Sequence, residues 1–147
     1  MPADPLVDDD YRRLLVLRTG LRRFLRWSED QARGVGLTPA QHQLLLAVRG
    51  LGRDPGPTIG ELADALLLRH HSAVELVQRA EYAGLLTRVH DPLDGRVVRL
   101  TLSRRGRAAL ERLSALHLEE LTRLDDRRRP MWAGLDDPDD RNSADGQ

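Results

Sequence analysis

At 147 residues the chain suits one domain with helical extensions, and two domains with separate cores are not expected. Apolar residues make up 40% and charged residues 31%, but aromatics only 3%, so the core must be Leu, Val and Ala, a mix that favours helices. Net charge is zero and cysteine is absent, which excludes disulfides, thiolate zinc sites and sensors that oxidise their own thiols.

No apolar run reaches the roughly 18 residues of a membrane span, and the opening Met1-Pro2-Ala3-Asp4-Pro5 lacks the basic-then-apolar layout of a signal peptide. A cytoplasmic location without a membrane partner is expected. Residues 1–10, with Asp8, Asp9 and Asp10, read as a flexible arm. Over 11–33, Leu14, Leu17, Leu21, Phe24 and Leu25 recur at three- and four-residue intervals, which predicts an amphipathic helix. Thr38-Pro39-Ala40-Gln41 has the residues of a capping box and opens a second helix through Leu44, Leu45, Ala47, Val48 and Leu51. Gly52 to Pro57 cannot continue it and forms a loop. Thr58-Ile59-Gly60-Glu61 is a second box, opening about two helical turns with Ile59, Leu62, Ala63 and Leu66 inward.

Past Leu67-Leu68-Arg69 the spacing of Ala73, Leu76, Val77 and Ala80 predicts a further helix that Gly84 closes. Two short helices tightly joined are a helix-turn-helix candidate. The period then changes to alternation: Leu86 to His90 and Arg96 to Leu102 read as strands, joined by the turn residues Asp91-Pro92-Leu93-Asp94-Gly95. Ser103 caps a last helix over 103–129, with Leu110, Leu113, Leu121 and Leu124 on one stripe, and Pro130 ends it. Residues 130–147, acidic and polar, are expected to be disordered apart from a contact through Trp132. The fold class is thus mainly α with one small antiparallel hairpin.

Helix, turn, helix and hairpin together form a geometry in which one helix enters the major groove of DNA while the hairpin touches backbone or minor groove. If Leu76 and Ala80 mark the buried centre of the second short helix, the pitch of an α-helix puts His71, Glu75, Gln78 and Tyr82 opposite, with Val74 and Arg79 flanking. Gln pairs with adenine, Glu accepts from cytosine, Val meets a thymine methyl, and Ser72 near the helix start suits a phosphate. A solvated helix face is the plainer reading of the same residues. Arg96 and Arg99 on the adjoining hairpin tilt the choice toward DNA.

Several segments resemble the MarR family of winged-helix regulators: Leu62-Ala63-Asp64-Ala65-Leu66, Val77-Gln78-Arg79, Gly84-Leu85-Leu86, Asp91-Pro92-Leu93-Asp94-Gly95-Arg96, and Leu100-Thr101-Leu102-Ser103 with Gly106. The resemblance covers about residues 10–128. It implies a single domain over 11–129, with dimerisation helices at 11–33 and 103–129 and a winged helix-turn-helix at 58–102. It also implies a homodimer on a palindromic double-stranded DNA operator, acting as a repressor. By the same resemblance Arg96 is the wing-tip contact to the minor groove and Asp94 orients it. The reading set is then Arg69, His70, His71, Ser72, Val74, Glu75, Gln78, Arg79, Asp94, Arg96 and Arg99. A small lipophilic or phenolic effector, common in the family, is expected between the dimer helices and the reading unit, near Trp27, His42 and Leu45. The chain departs from the family pattern at the His70-His71 pair, at Glu75 and at Ala80, which leaves the operator sequence open.

Two other classes compete. There is no phosphate-cradling glycine loop, no Gly-x-Ser-x-Gly elbow and no His-Glu-x-x-His, so neither catalysis nor a cofactor is expected. His42, His70, His71, His90 and His117 raise a metal-responsive variant, but adjacent histidines point apart on a helix, and no metal site is expected. A winged helix serving only protein interactions is the remaining alternative, since fold does not fix function.

Overall fold

The computed structural model describes residues 5–126, with the side chains of 125 and 126 left aside. The expectations for Trp132 and the tail 130–147 lie outside the described residues. Five helices and one hairpin follow in chain order: α1 (Asp8–Gly34), α2 (Pro39–Gly50), α3 (Ile59–Ala65), α4 (His70–Tyr82), β1 (Leu86–His90), β2 (Val98–Leu102) and α5 (Arg104–Asp126). Helix α1 starts at Asp8, three residues before the expected Tyr11, so Asp8, Asp9 and Asp10 belong to the helix and not to the arm. Three acids in a first turn face the positive end of the helix dipole, and the Asp10 carboxylate accepts the Val7 N–H at 3.0 Å.

The described residues divide into two compact units, residues 5–28 with 117–126, and Glu29–Leu116. In the second unit Leu37, Leu44, Leu45, Val48, Leu62, Val77, Ala80, Leu85, Leu86, Leu100, Leu110 and Leu113 pack into one buried cluster. Leucine and valine from α2, α3, α4, the hairpin and the first half of α5 thus share one interior. The first unit is organised around an aromatic contact. His117 lies 4.9 Å from Trp27 and 6.1 Å edge-on from Phe24, and its Nε2 shares a 2.6 Å hydrogen bond with the Ser28 hydroxyl.

Helix ends follow the chemistry of their sequences. At α2 the Gln41 N–H donates to Thr38 Oγ1 at 3.1 Å while the Thr38 N–H donates to Gln41 Oε1 at 3.0 Å, a complete capping box. At α3 the Glu61 N–H donates to Thr58 Oγ1 at 3.2 Å. Helix α4 closes with Gly84 at φ +73°, where the Leu85 N–H reaches the Ala80 carbonyl at 2.9 Å. The same closure ends α3, with the Leu68 N–H on the Ala63 carbonyl at 2.9 Å, but Leu67 holds the left-handed position at φ +55°. A Cβ in that region is strained, so a leucine there is unusual.

The two strands pair antiparallel in the register Leu86↔Leu102, Thr87↔Thr101, Arg88↔Leu100, Val89↔Arg99 and His90↔Val98. Leu86 and Leu100 point into the core, and the Thr87 and Thr101 hydroxyls meet across the other face at 2.8 Å. The second strand begins at Val98, not Arg96, because the chain is still turning: the Val97 N–H donates to the Asp94 carbonyl at 3.0 Å. Ser103 ties the hairpin to α5, its hydroxyl donating to the Gly84 carbonyl at 2.6 Å and accepting the Gly106 N–H at 3.0 Å. Gly106 lies so close to the residue leading into β1 that a Cβ would sit 2.2 Å from the Leu85 carbonyl oxygen. The glycine three residues past Ser103 is therefore a contact requirement between α5 and the backbone just before β1.

Candidate nucleic-acid interface

Ala73, Val77 and Ala80 are the buried residues of α4, and Leu76 is only partly covered. The inward face therefore centres nearer Ala73 and Val77 than the Leu76–Ala80 axis taken from the sequence. The opposite face is unchanged by this small rotation. His71, Glu75, Gln78 and Tyr82 are exposed along it, Arg79 is exposed beside it, and Val74 is half-buried on the other flank. Arg69 and His70, both exposed, occupy the N-cap and first position of the helix, and Ser72 is half-buried in the first turn. Arg69 offers no side-chain cap, so no protein side chain covers the first-turn N–H groups from that position.

The hairpin tip is built on two aspartates. Asp91 Oδ1 accepts the N–H of Leu93 at 2.8 Å and of Asp94 at 3.1 Å. Asp94 Oδ1 accepts the Arg96 N–H at 3.1 Å and Nε at 3.1 Å, and its Oδ2 takes Nη2 at 3.2 Å. This two-pronged pairing holds a guanidinium whose side chain is 91% exposed. Hydrogen bonds from the Arg96 side chain, then from its backbone, hold the Asp94 carboxyl below the usual carboxylate range. His90 closes the base of the tip, its Nδ1–H donating to the Gly95 carbonyl at 2.9 Å.

Arg99 was placed with the reading residues, and its side chain goes elsewhere. It is only 21% exposed, with Nε on Asp91 Oδ2 at 2.5 Å, and Nη1 on the Gly56 carbonyl at 3.0 Å and Glu61 Oε1 at 3.5 Å. Arg53 adds a 2.6 Å contact to Glu61 Oε2. Strand alternation put Arg99 on the right face of the sheet but could not show that the loop before α3 and Glu61 lie under that face. Arg99 is thus a tie between hairpin, loop and α3. The Arg99 side chain chiefly, with the Leu93 N–H, holds Asp91 below the usual carboxylate range.

The residues named for an effector fall in different surroundings. His42 and Leu45 are buried in the unit Glu29–Leu116, Leu45 within its apolar cluster, and Trp27 belongs to the other unit with Phe24 and His117. Among the described residues no three His, Cys, Asp or Glu side chains stand together as a metal site, and no helix is long and apolar enough to cross a membrane.

Residues 35–97, from the end of α1 to the wing tip, match the sequence model of the MarR family. The chain's fold is similar to that of a MarR family transcription regulator designated SP03579, with TM-score 0.73 and 24% identity, over 87% of this chain and 83% of that one. It is also similar to a mutant of MepR from Staphylococcus aureus bound to an oligodeoxyribonucleotide, with TM-score 0.63 and 19% identity, over 85% and 88% of the two chains. A third similar structure is BpsR of Bordetella bronchiseptica, whose DNA binding is regulated by 6-hydroxynicotinic acid. Its TM-score is 0.57 at 26% identity, over 86% of this chain and 82% of that one. No curated protein sequence matches the chain.

Proposed function

From the match of residues 35–97 to the MarR family model and the winged-helix fold, we propose that the chain is a MarR family transcription regulator that works in the cytoplasm as a homodimeric repressor. It binds a palindromic double-stranded DNA operator. Helix α4 lies in the major groove and reads bases through His71, Val74, Glu75 and Gln78, while Arg69, His70, Ser72 and Arg79 position it on the phosphates. The wing carries Arg96 into the adjacent minor groove, oriented by Asp94. The observation that carries the reading is the outward, carboxylate-held Arg96 on the same unit as an exposed polar face of α4. A core residue would not be displayed in this way, and a pre-oriented guanidinium loses less freedom on binding.

The dimer is supported by the exposed apolar side chains of α1, Tyr11, Leu14, Leu15, Val16 and Leu25 among them, which a second copy would cover. Relief by a small lipophilic or phenolic effector is proposed on the likeness to the nicotinate-regulated relative, with Trp27, His42 and Leu45 as the residues to probe. A ligand acts this way when it prefers the dimer state that does not fit DNA.

Selection of bound fragments from random DNA by the purified protein tests the reading. Enrichment of a palindrome with half-sites about 10 base pairs apart is expected. Failure to enrich any sequence would reject it in favour of a protein-interaction module.

A further inference from the structure

Three large apolar side chains among the described residues are almost wholly in solvent: Leu93 at 97%, Tyr82 at 96% and Leu67 at 93%, with every other exposed one at or below 66%. All three lie on the winged helix, in the turn after α3, at the end of α4 and at the tip of the hairpin. A solitary exposed leucine needs no explanation. Leu93 is set apart by how its backbone is held.

Its N–H is fixed by Asp91 Oδ1 at 2.8 Å, and the loop around it is closed by Asp91 N–H on the Val97 carbonyl at 2.9 Å and Val97 N–H on the Asp94 carbonyl at 3.0 Å. Arg99 anchors the other Asp91 oxygen. The tip therefore presents one apolar and one cationic side chain on a braced frame, Leu93 and Arg96, both nearly fully solvated. Between them come only Asp94, which is turned to Arg96, and Gly95, whose surroundings are open.

We propose that Leu93 is a second wing contact to DNA, packing its methyl groups against the deoxyribose walls of the minor groove that Arg96 enters. The proposal rests on the DNA-binding reading above. A narrow minor groove offers concentrated negative potential for a guanidinium and close apolar sugar walls beside it, and leucine is among the side chains that proteins place there. Because the tip is already braced, little backbone freedom remains to be lost when Leu93 is covered. The partner is a duplex segment with a narrow groove, of A·T-rich composition.

The test is a salt series of binding to the duplex enriched from random DNA, read by fluorescence anisotropy for wild type, Leu93→Ala, Leu93→Met and Arg96→Ala. An apolar contact releases no counterions, whereas a lost guanidinium contact lowers the salt slope by about one. Leu93→Ala is expected to bind about tenfold more weakly with an unchanged slope, and Leu93→Met to stay near wild type. Wild-type affinity in Leu93→Ala beside a weakened Arg96→Ala would overturn the Leu93 contact and leave the DNA-binding reading standing. Wild-type affinity in both would reject the wing as a contact altogether. A lower melting temperature in Leu93→Ala would make Leu93 a folding residue and also overturn the proposal.

Discussion

Every apolar side chain that is fully buried among the described residues belongs to the unit Glu29–Leu116, while residues 5–28 and 117–124 contribute none. Composition does not explain the difference, since α1 alone brings Leu14, Leu15, Val16, Leu17, Leu21, Phe24 and Leu25. The winged-helix unit closes its core within one chain because α2, α3, α4, the hairpin and α5 supply apolar faces from several directions. Among the described residues the other unit has only α1 and the second half of α5, so its leucines stay exposed or half-buried. One unit closes its core within the chain, and the other leaves apolar side chains for the second copy of the proposed dimer to cover.

The largest effect that would break this contrast is on assembly. Leu121→Glu with Leu124→Glu puts two charges on the half-buried stripe of α5 outside the core. Monomers or insoluble protein are expected in light scattering, and an unchanged dimer would show that these residues pair with nothing. Leu113, fully buried on the same helix but inside the other unit, should behave oppositely. Leu113→Ala is expected to cost about 2–5 kcal/mol of stability by denaturant unfolding while the surviving folded protein remains dimeric.

A smaller effect probes the brace under the wing. Arg99→Ala should lower the melting temperature and loosen the hairpin, measured as faster amide exchange at Val97 and Leu100. The effect has a defined pH dependence. Asp91 is held below its ordinary range in the folded chain, chiefly by Arg99, so its contribution is complete above the unfolded carboxylate value and lost as pH falls through the folded one. The difference between wild type and Arg99→Ala should therefore shrink in acid; a gap that stays constant would mean the Asp91 pair is not its source. The smallest effect is at the turn of the helix-turn-helix. Leu67→Gly relieves the left-handed strain at φ +55° and should raise stability by up to about 1 kcal/mol, read by the same denaturant titration.

Much of this was legible because it is local. Capping boxes, the glycine closing α4, the 3.6-residue spacing of buried positions and the turn residues of the wing are short-range chemistry, and each element appeared within a few residues of its expected place. The exposed face of α4 followed from helical pitch alone, even though its buried centre lay nearer Ala73 and Val77. What stayed hidden was tertiary. Alternation told which side of the strand Arg99 takes but not that Asp91, Gly56 and Glu61 meet it there. Gly106 was recognisable as part of a motif, yet its reason, the backbone of Leu85 against the start of α5, requires the fold. Leu67 read as an ordinary turn residue because nothing in sequence marks the one position where φ must be positive.

In the proposed complex α4 reads bases twice, once in each half of a two-fold assembly. Repeating the random-DNA selection with Gln78→Ala tests it most directly, because Gln78 sits on the exposed face with no role in the core. A palindrome with altered preference at one symmetric pair of positions and the rest unchanged is expected. An unaltered motif bound more weakly at every sequence would make Gln78 a backbone contact and would contradict the reading of α4 as the base-recognition helix.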